Sequence, residues 1–164
     1  MTDTRWLSNA ELTGWLRFAA VLELLPGALD AQLGRDEGLT HFDYFTLAML
    51  SEADDRTLRM TTLAAQTNAT LPRLSRVITR LEGAGYVRRT PCLEDRRATD
   101  VILTAGGWDK LSHAAPGHVA TVRGLVLDAL SPAQVDQLSA ISAQLLQRLD
   151  PGGRTFASSS SRQT

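Results

Sequence analysis

Apolar residues recur at helical spacing along most of this chain, and one short stretch breaks that rhythm. Ser8-Asn9-Ala10-Glu11 has the form of a capping box, in which hydroxyl and carboxylate each satisfy a free N–H at a helix start. Leu12, Trp15, Leu16, Ala19 and Leu22 then follow one helix face, and Pro26-Gly27 is expected to kink or interrupt it before Leu29 and Leu33. Thr40, with Asp43 three residues on, predicts the start of a second helix that turns Tyr44, Leu47, Ala48 and Leu50 inward. Glu52 to Arg56 reads as a polar turn, and Leu58-Arg59-Met60 as a strand or extended link. Thr61 is expected to cap a short helix to about Thr67, and Thr70 a second one with Pro72 in its first turn.

Here the period changes. Gly85 suits a left-handed helix end, and segments 86–90 and 99–104 alternate as two antiparallel strands around a charged tip, 91–98. Helical spacing returns after Thr104, with Trp108 and Leu111, an expected bend at Pro116-Gly117, and Val119, Val122, Leu125 and Val126. Ser131-Pro132-Ala133-Gln134 is a strong start signal for a last helix lined by Val135, Leu138, Ile141, Leu145 and Leu149. The tail from 150 to 164, with Pro151, Gly152, Gly153 and four serines, is expected to be disordered. The fold class is therefore mostly α with a small β-wing: a helix, a turn, a second helix and a hairpin at 40–104, flanked by helical regions 8–34 and 105–149. Those flanking helices are apolar beyond what one small domain needs, so pairing with a second copy is expected.

Charge sharpens this picture. Positions 73 to 97 hold seven Arg and three acids, a net +4, in a chain whose total is −1. Such a local basic stripe is the electrostatic footprint of phosphate binding. With helical angles of about 100° per residue, Leu74, Val77, Ile78 and Leu81 share one arc, while Arg73, Arg76 and Arg80 share a neighbouring one. A helix of this kind fits the major groove of DNA, where Arg pairs with guanine O6 and N7. The candidate DNA contacts are Thr70, Arg73, Ser75, Arg76, Thr79 and Arg80 on the helix, and Arg96 and Arg97 on the hairpin. Arg80, deeper along the helix, is expected at phosphate or bracing the wing. Asp95, two residues before Arg97, is expected to hold its guanidinium in place.

The run from Asp95-Arg96-Arg97 to Leu103-Thr104 matches a D-x-R-x-x-x-x-x-L-T wing motif, and Arg-Leu-Glu-Gly-Ala-Gly-Tyr-Val-Arg-Arg at 80–89 and Leu63-Ala64 extend the match. In these motifs the chain resembles the MarR (multiple antibiotic resistance regulator) family of winged helix-turn-helix regulators, over about residues 8 to 149. The resemblance implies a homodimer built from N- and C-terminal helices, with each wing domain on half of a pseudo-palindromic double-stranded operator. It also implies a repressor released by a small-molecule effector bound where the dimer helices meet the wing domain, here near Trp15, Phe18, His41, Tyr44, Phe45, Trp108 and His118. Leu71-Pro72-Arg73-Leu74-Ser75-Arg76 departs from the Ser/Thr-rich run many members carry.

Two alternatives stand beside that reading: a redox-sensing regulator through the single Cys92, and a winged-helix protein-interaction module without DNA binding. One cysteine excludes an intramolecular disulfide and suits a reducing compartment. No metal-ligand spacing joins His41, His113, His118 and Cys92, and no nucleophile triad, phosphate loop or paired-carboxylate signature stands out. Neither a cofactor, a metal nor an enzymatic activity is expected. No uninterrupted run of 18 apolar residues occurs, and the polar N-terminus lacks a signal-peptide form, so a cytoplasmic location without membrane insertion is expected.

Overall fold

The computed structural model describes residues 4–92, 95 and 97–160, without the side chains of 159 and 160. Seven helices occur among them: α1 (Asn9–Glu37), α2 (His41–Ser51), α3 (Met60–Gln66), α4 (Leu71–Gly83), α5 (Ala105–Leu125), α6 (Pro132–Leu149) and α7 (Phe156–Ser160). Strands β1 (Thr57–Arg59), β2 (Val87–Pro91) and β3 (Thr99–Leu103) form an antiparallel sheet in the order β1-β3-β2. The order is mostly α with a small β-wing, as expected, and Thr57–Arg59, read from sequence as a strand or an extended link, supplies a third strand.

Local chemistry sets the helix starts. Ser8 with Glu11, Thr40 with Asp43, and Ser131 with Gln134 all form reciprocal capping boxes. The start of α3 differs from expectation: its cap is Arg59, two residues before Thr61 and without a side-chain bond, because pairing of β1 through Arg59 with β3 fixes the chain direction there. Neither proline interrupts its helix, and α1 and α5 run continuously through Pro26 and Pro116. A proline removes one backbone bond and strains one turn. In each case a packed turn lies on one side of it, with Leu29 and Leu33 buried after Pro26 in α1 and Leu111 and Ala114 before Pro116 in α5.

The core lies under the wing domain. Leu47 and Leu50 of α2, Leu63 of α3, Leu74, Ile78 and Leu81 of α4, Val87 of β2 and Val101 of β3 are all fully buried, each contributing about 1.5–3 kcal/mol. The buried arc of α4 is the one its sequence spacing predicts. Thr104 joins the wing to α5: its hydroxyl donates to the Gly85 carbonyl at 2.6 Å and accepts from the Gly107 N–H at 3.0 Å. A Cβ at Gly107 would lie 2.0 Å from the Tyr86 carbonyl oxygen, so only glycine permits this approach of α5 to the wing. At the other end of the junction, Glu37 accepts from Lys110 at 2.7 Å and lies 3.0 Å from His113, tying the end of α1 to α5. The Lys110 bond, foremost, holds the Glu37 carboxyl below its usual range.

The tail departs from the expected disorder as far as it is described. Asp150 accepts from the N–H groups of Arg154 and Thr155 and from the Thr155 hydroxyl, at 2.8–3.1 Å. These donors, led by the Thr155 N–H, hold its carboxyl well below the usual range. The chain thereby turns back into α7, and Phe156 packs against the core. A Pro-Gly-Gly stretch reads as a breaker, yet here it forms the return of a carboxylate-capped turn.

Apolar surface left open is concentrated on two elements. On α1, Trp15, Leu16, Phe18, Val21 and Leu22 are exposed; on α6, which buries no residue within its own chain, Leu138, Ile141, Leu145 and Leu149 are exposed. By length and composition α1 is also apolar enough to cross a membrane. A search for an unbroken apolar run misses this, because charges such as Arg17 and Glu23 interrupt the run.

Candidate nucleic-acid interface

The first turn of α4 presents the N-terminal end of the reading helix. Thr70 caps it, its hydroxyl accepting the Arg73 N–H at 3.4 Å. The three arginines of α4 do not act alike. Arg73 lies over the Phe42 ring of α2, 4.2 Å from its centroid. Arg80 pairs with Asp43, also on α2 and buried. Arg80 is thus held on α2 rather than bracing the wing: helical spacing puts it on the same side as Arg73, facing α2. Arg76 is turned about 60° further outward and is exposed.

Toward the wing, Thr79 donates to the Ser75 carbonyl at 2.9 Å and accepts from Arg89 at 2.6 Å. Its hydroxyl is therefore already occupied. Arg89, which the sequence reading did not single out, also donates through its N–H and Nε to both oxygens of Glu82, at 2.8 and 3.0 Å. Those bonds, led by the Arg89 backbone N–H, keep the Glu82 carboxyl below its usual range. The "Arg-Leu-Glu … Val-Arg-Arg" pattern carried that signal, since it places Glu82 and Arg89 on opposite sides of a tight turn.

On the hairpin, Asp95 accepts the backbone N–H of Arg97 at 3.0 Å. It shapes the wing tip; it does not hold the Arg97 guanidinium, because the short carboxylate closes on the nearer N–H first. Among the described residues, the guanidinium groups of Arg76 and Arg97 have no hydrogen-bond or ion-pair partner. Arg96 lies outside the described residues. Between α4 and the wing runs an open groove of about 410 Å³ lined by Met60, Leu71, Pro72, Ser75, Arg97 and Thr99, among others. So Ser75 and Arg97 line one groove, and Arg76, the residue after Ser75, is exposed on α4.

Cys92 at the base of the hairpin is 6% exposed, and Arg59 donates to its Sγ at 3.2 Å. Arg59 was missed because strand pairing, not sequence proximity, brings it there.

A second set of residues meets where α1, α2 and α5 converge. His41 and His118 stack with centroids 5.7 Å apart, and Tyr44 lies 4.3 Å from His118. Asp30 of α1 accepts the His41 backbone N–H at 2.8 Å. Gln32 is 4% exposed; its Oε1 and the His118 Nδ1 are buried without a hydrogen-bond partner. The other residues expected here lie apart: Trp15 and Phe18 are on the open face of α1, Phe45 packs on the wing core, and Trp108 is stacked under Arg56 at 4.0 Å.

Burial lowers the pKa of both His41 and His118, and for His118 the neighbouring His41 adds to this. A histidine with a depressed folded pKa stays neutral in the fold while the unfolded chain takes up the proton first. Stability is then full above the unfolded value of about 6.5 and falls as pH drops through it toward the folded values. Melting temperatures at pH 7.5, 6.5 and 5.5 should decline, and His118→Gln should flatten that decline. A variant whose decline matches wild type would show that the pair does not contribute.

Residues 39–99 match the MarR family model. The chain is 40% identical to Sco3205 of Streptomyces coelicolor, a MarR family transcriptional regulator whose crystal structure is in complex with DNA, with TM-score 0.87 over 92% of this chain and 94% of that one. AbsC, a MarR family transcriptional regulator from the same organism, is 38% identical with TM-score 0.84, over 89% of this chain and 98% of its own. The HTH-type transcriptional repressor YetL of Bacillus subtilis is 29% identical over 112 residues, which span 68% of this chain and 66% of YetL. With the fold, the wing motif and near-complete coverage of Sco3205 in agreement, the chain belongs to the MarR family of transcriptional regulators.

Proposed function

We propose that two copies of the chain bind a pseudo-palindromic operator and act as a repressor released by a small molecule. The observation that carries DNA binding is the pair Arg76, exposed on α4, and Arg97, which lines the α4–wing groove with Ser75. Both guanidinium groups are unpartnered among the described residues, while neighbouring arginines are held by Phe42, Asp43 and Glu82. In this reading 40–104 is the DNA-binding unit, Thr70 and Ser75 line the reading surface with Arg73 and Arg76, and Arg97 enters the minor groove beside it. Regions 8–34 and 105–149 form the dimerisation unit. The exposed apolar residues of α1 and the apolar stripe of Leu138, Ile141, Leu145 and Leu149 on α6 support a second copy as their cover. A cytoplasmic location follows from that role.

Support for the effector comes from two buried, unpartnered polar atoms of this junction, Gln32 Oε1 on α1 and Nδ1 of His118, whose ring lies beside Tyr44; they fit a small amphipathic ligand with a hydrogen-bond donor. The test of the whole reading is a gel shift on the DNA upstream of the protein's own coding sequence. Binding at about 10⁻⁸ M or tighter and at least about 10³-fold preference over unrelated duplex is expected. Equal retention of both duplexes would instead favour a protein-interaction module.

Cys92 supports a redox reading less well. Its thiol is buried, Arg59 already occupies Sγ, and no second cysteine exists in the chain. The wings of a DNA-bound dimer lie about 34 Å apart, too far for a disulfide, whose Cα atoms lie within about 7 Å. Cys92→Ser should therefore leave operator affinity and peroxide response unchanged. Release of wild type by mild peroxide, with retention of Cys92→Ser, would establish the redox mechanism in place of the effector.

A further inference from the structure

Two arginines of the reading helix are held in place by the first turn of a different helix. Phe42 lies under Arg73 and Asp43 pairs with Arg80, so consecutive residues of α2 hold two side chains on the same α4 face, about two turns apart. That turn is itself rigidly built. Asp43 accepts the Thr40 N–H at 2.9 Å and donates its own N–H to the Thr40 hydroxyl at 3.0 Å. Phe42 is half-buried and packs against the wing core.

A guanidinium stacked flat on a ring keeps its N–H edge available while losing most of its rotational freedom. Arg73 sits in the first turn of α4, the end of a reading helix that reaches base edges. We propose that Phe42 is a positioning residue for DNA readout: it aims Arg73 in the free protein, so that recognition at one base pair does not require ordering a long side chain. This rests on the DNA-binding reading above. The residue before Phe42 is His41, in the junction with α1 and α5, so the seat of Arg73 and that junction share one helical turn.

The test is a double-mutant cycle of Phe42→Leu and Arg73→Ala, with binding measured on the operator and on single-base variants of it. Phe42→Leu keeps an apolar side chain but removes the ring. It should weaken binding about two- to tenfold, the range of a partly exposed cation–π contact, with the loss concentrated at the base pair that Arg73→Ala also affects. The double variant should bind no more weakly than Arg73→Ala alone, and Phe42→Tyr, which keeps the ring, should bind as wild type. Additive losses, or a Phe42→Leu loss spread evenly over all sequences, would overturn the inference while leaving DNA binding intact. Wild type with no sequence preference would overturn both. Should Phe42→Leu fail to fold, NMR of the free wild-type protein decides: the Arg73 side-chain protons must be shifted upfield by the ring, and unshifted protons would overturn the inference.

Discussion

Ile141→Asp combined with Leu145→Asp is expected to convert a dimer into a monomer. In a symmetric dimer each residue counts twice, and the two side chains are 57% and 40% exposed within one chain. Covering that remaining surface is worth roughly half a full burial each, so the four sites together contribute about 3–6 kcal/mol, or about 10²–10⁴-fold in the dimer dissociation constant. Burying aspartate carboxylates adds to the loss. Light scattering at micromolar concentration should show about twice the 17.8 kDa chain mass for wild type and the single mass for the variant. Helical content by circular dichroism should be largely kept, because α6 buries nothing in its own chain. Wild type at the single mass would remove the dimer, and with it the account of the open faces of α1 and α6.

Arg76→Ala and Arg97→Ala should weaken DNA binding in different ways. Arg76 stands on the outward face of α4, where a bidentate contact with guanine is worth about 1–3 kcal/mol and is specific to one base pair. Its loss should relax sequence preference at that position. Arg97, on the wing, should lower affinity for all sequences and reduce the salt dependence by about one unit of slope, as one phosphate neutralisation disappears. Arg80→Ala should change neither measure much, since its partner is Asp43. Binding curves over a salt series on matched and mismatched duplexes check all three. Equal affinity of wild type, Arg76→Ala and Arg97→Ala would rule out the α4–wing surface as the contact.

What could be read from the sequence was local. Three capping boxes, the buried arc of α4, the left-handed Gly85 and the two wing strands depend on residues within a few positions of one another, and they lie where spacing predicts. What escaped depends on distant pairing. The seat of Arg80 is 37 residues away at Asp43, and the neighbour of Cys92 is 33 residues away at Arg59. A helical wheel shows that Arg73, Arg76 and Arg80 lie close in angle; it cannot show that α2 packs against one edge of that arc and takes two of the three. Strand β1 stayed ambiguous for the same reason, since three residues become a strand only through β3. Of the residues expected at the junction of the helices with the wing domain, His41, Tyr44 and His118 do meet, while Trp15 and Phe18 lie on the exposed part of α1 and Trp108 lies under Arg56. The tail was read by composition, which hid the capping role of Asp150 and the packing of Phe156.

The central claim is that two copies place α4 and the wing on two halves of one duplex. The most direct measurement is a hydroxyl-radical footprint of the wild-type protein on duplexes selected from a random pool. Two equivalent protected half-sites are predicted, centred about 34 Å or one helical turn apart, each with minor-groove protection beside it and two chains per duplex. A single protected site, one chain per duplex, or a pool that yields no shared motif would contradict the account.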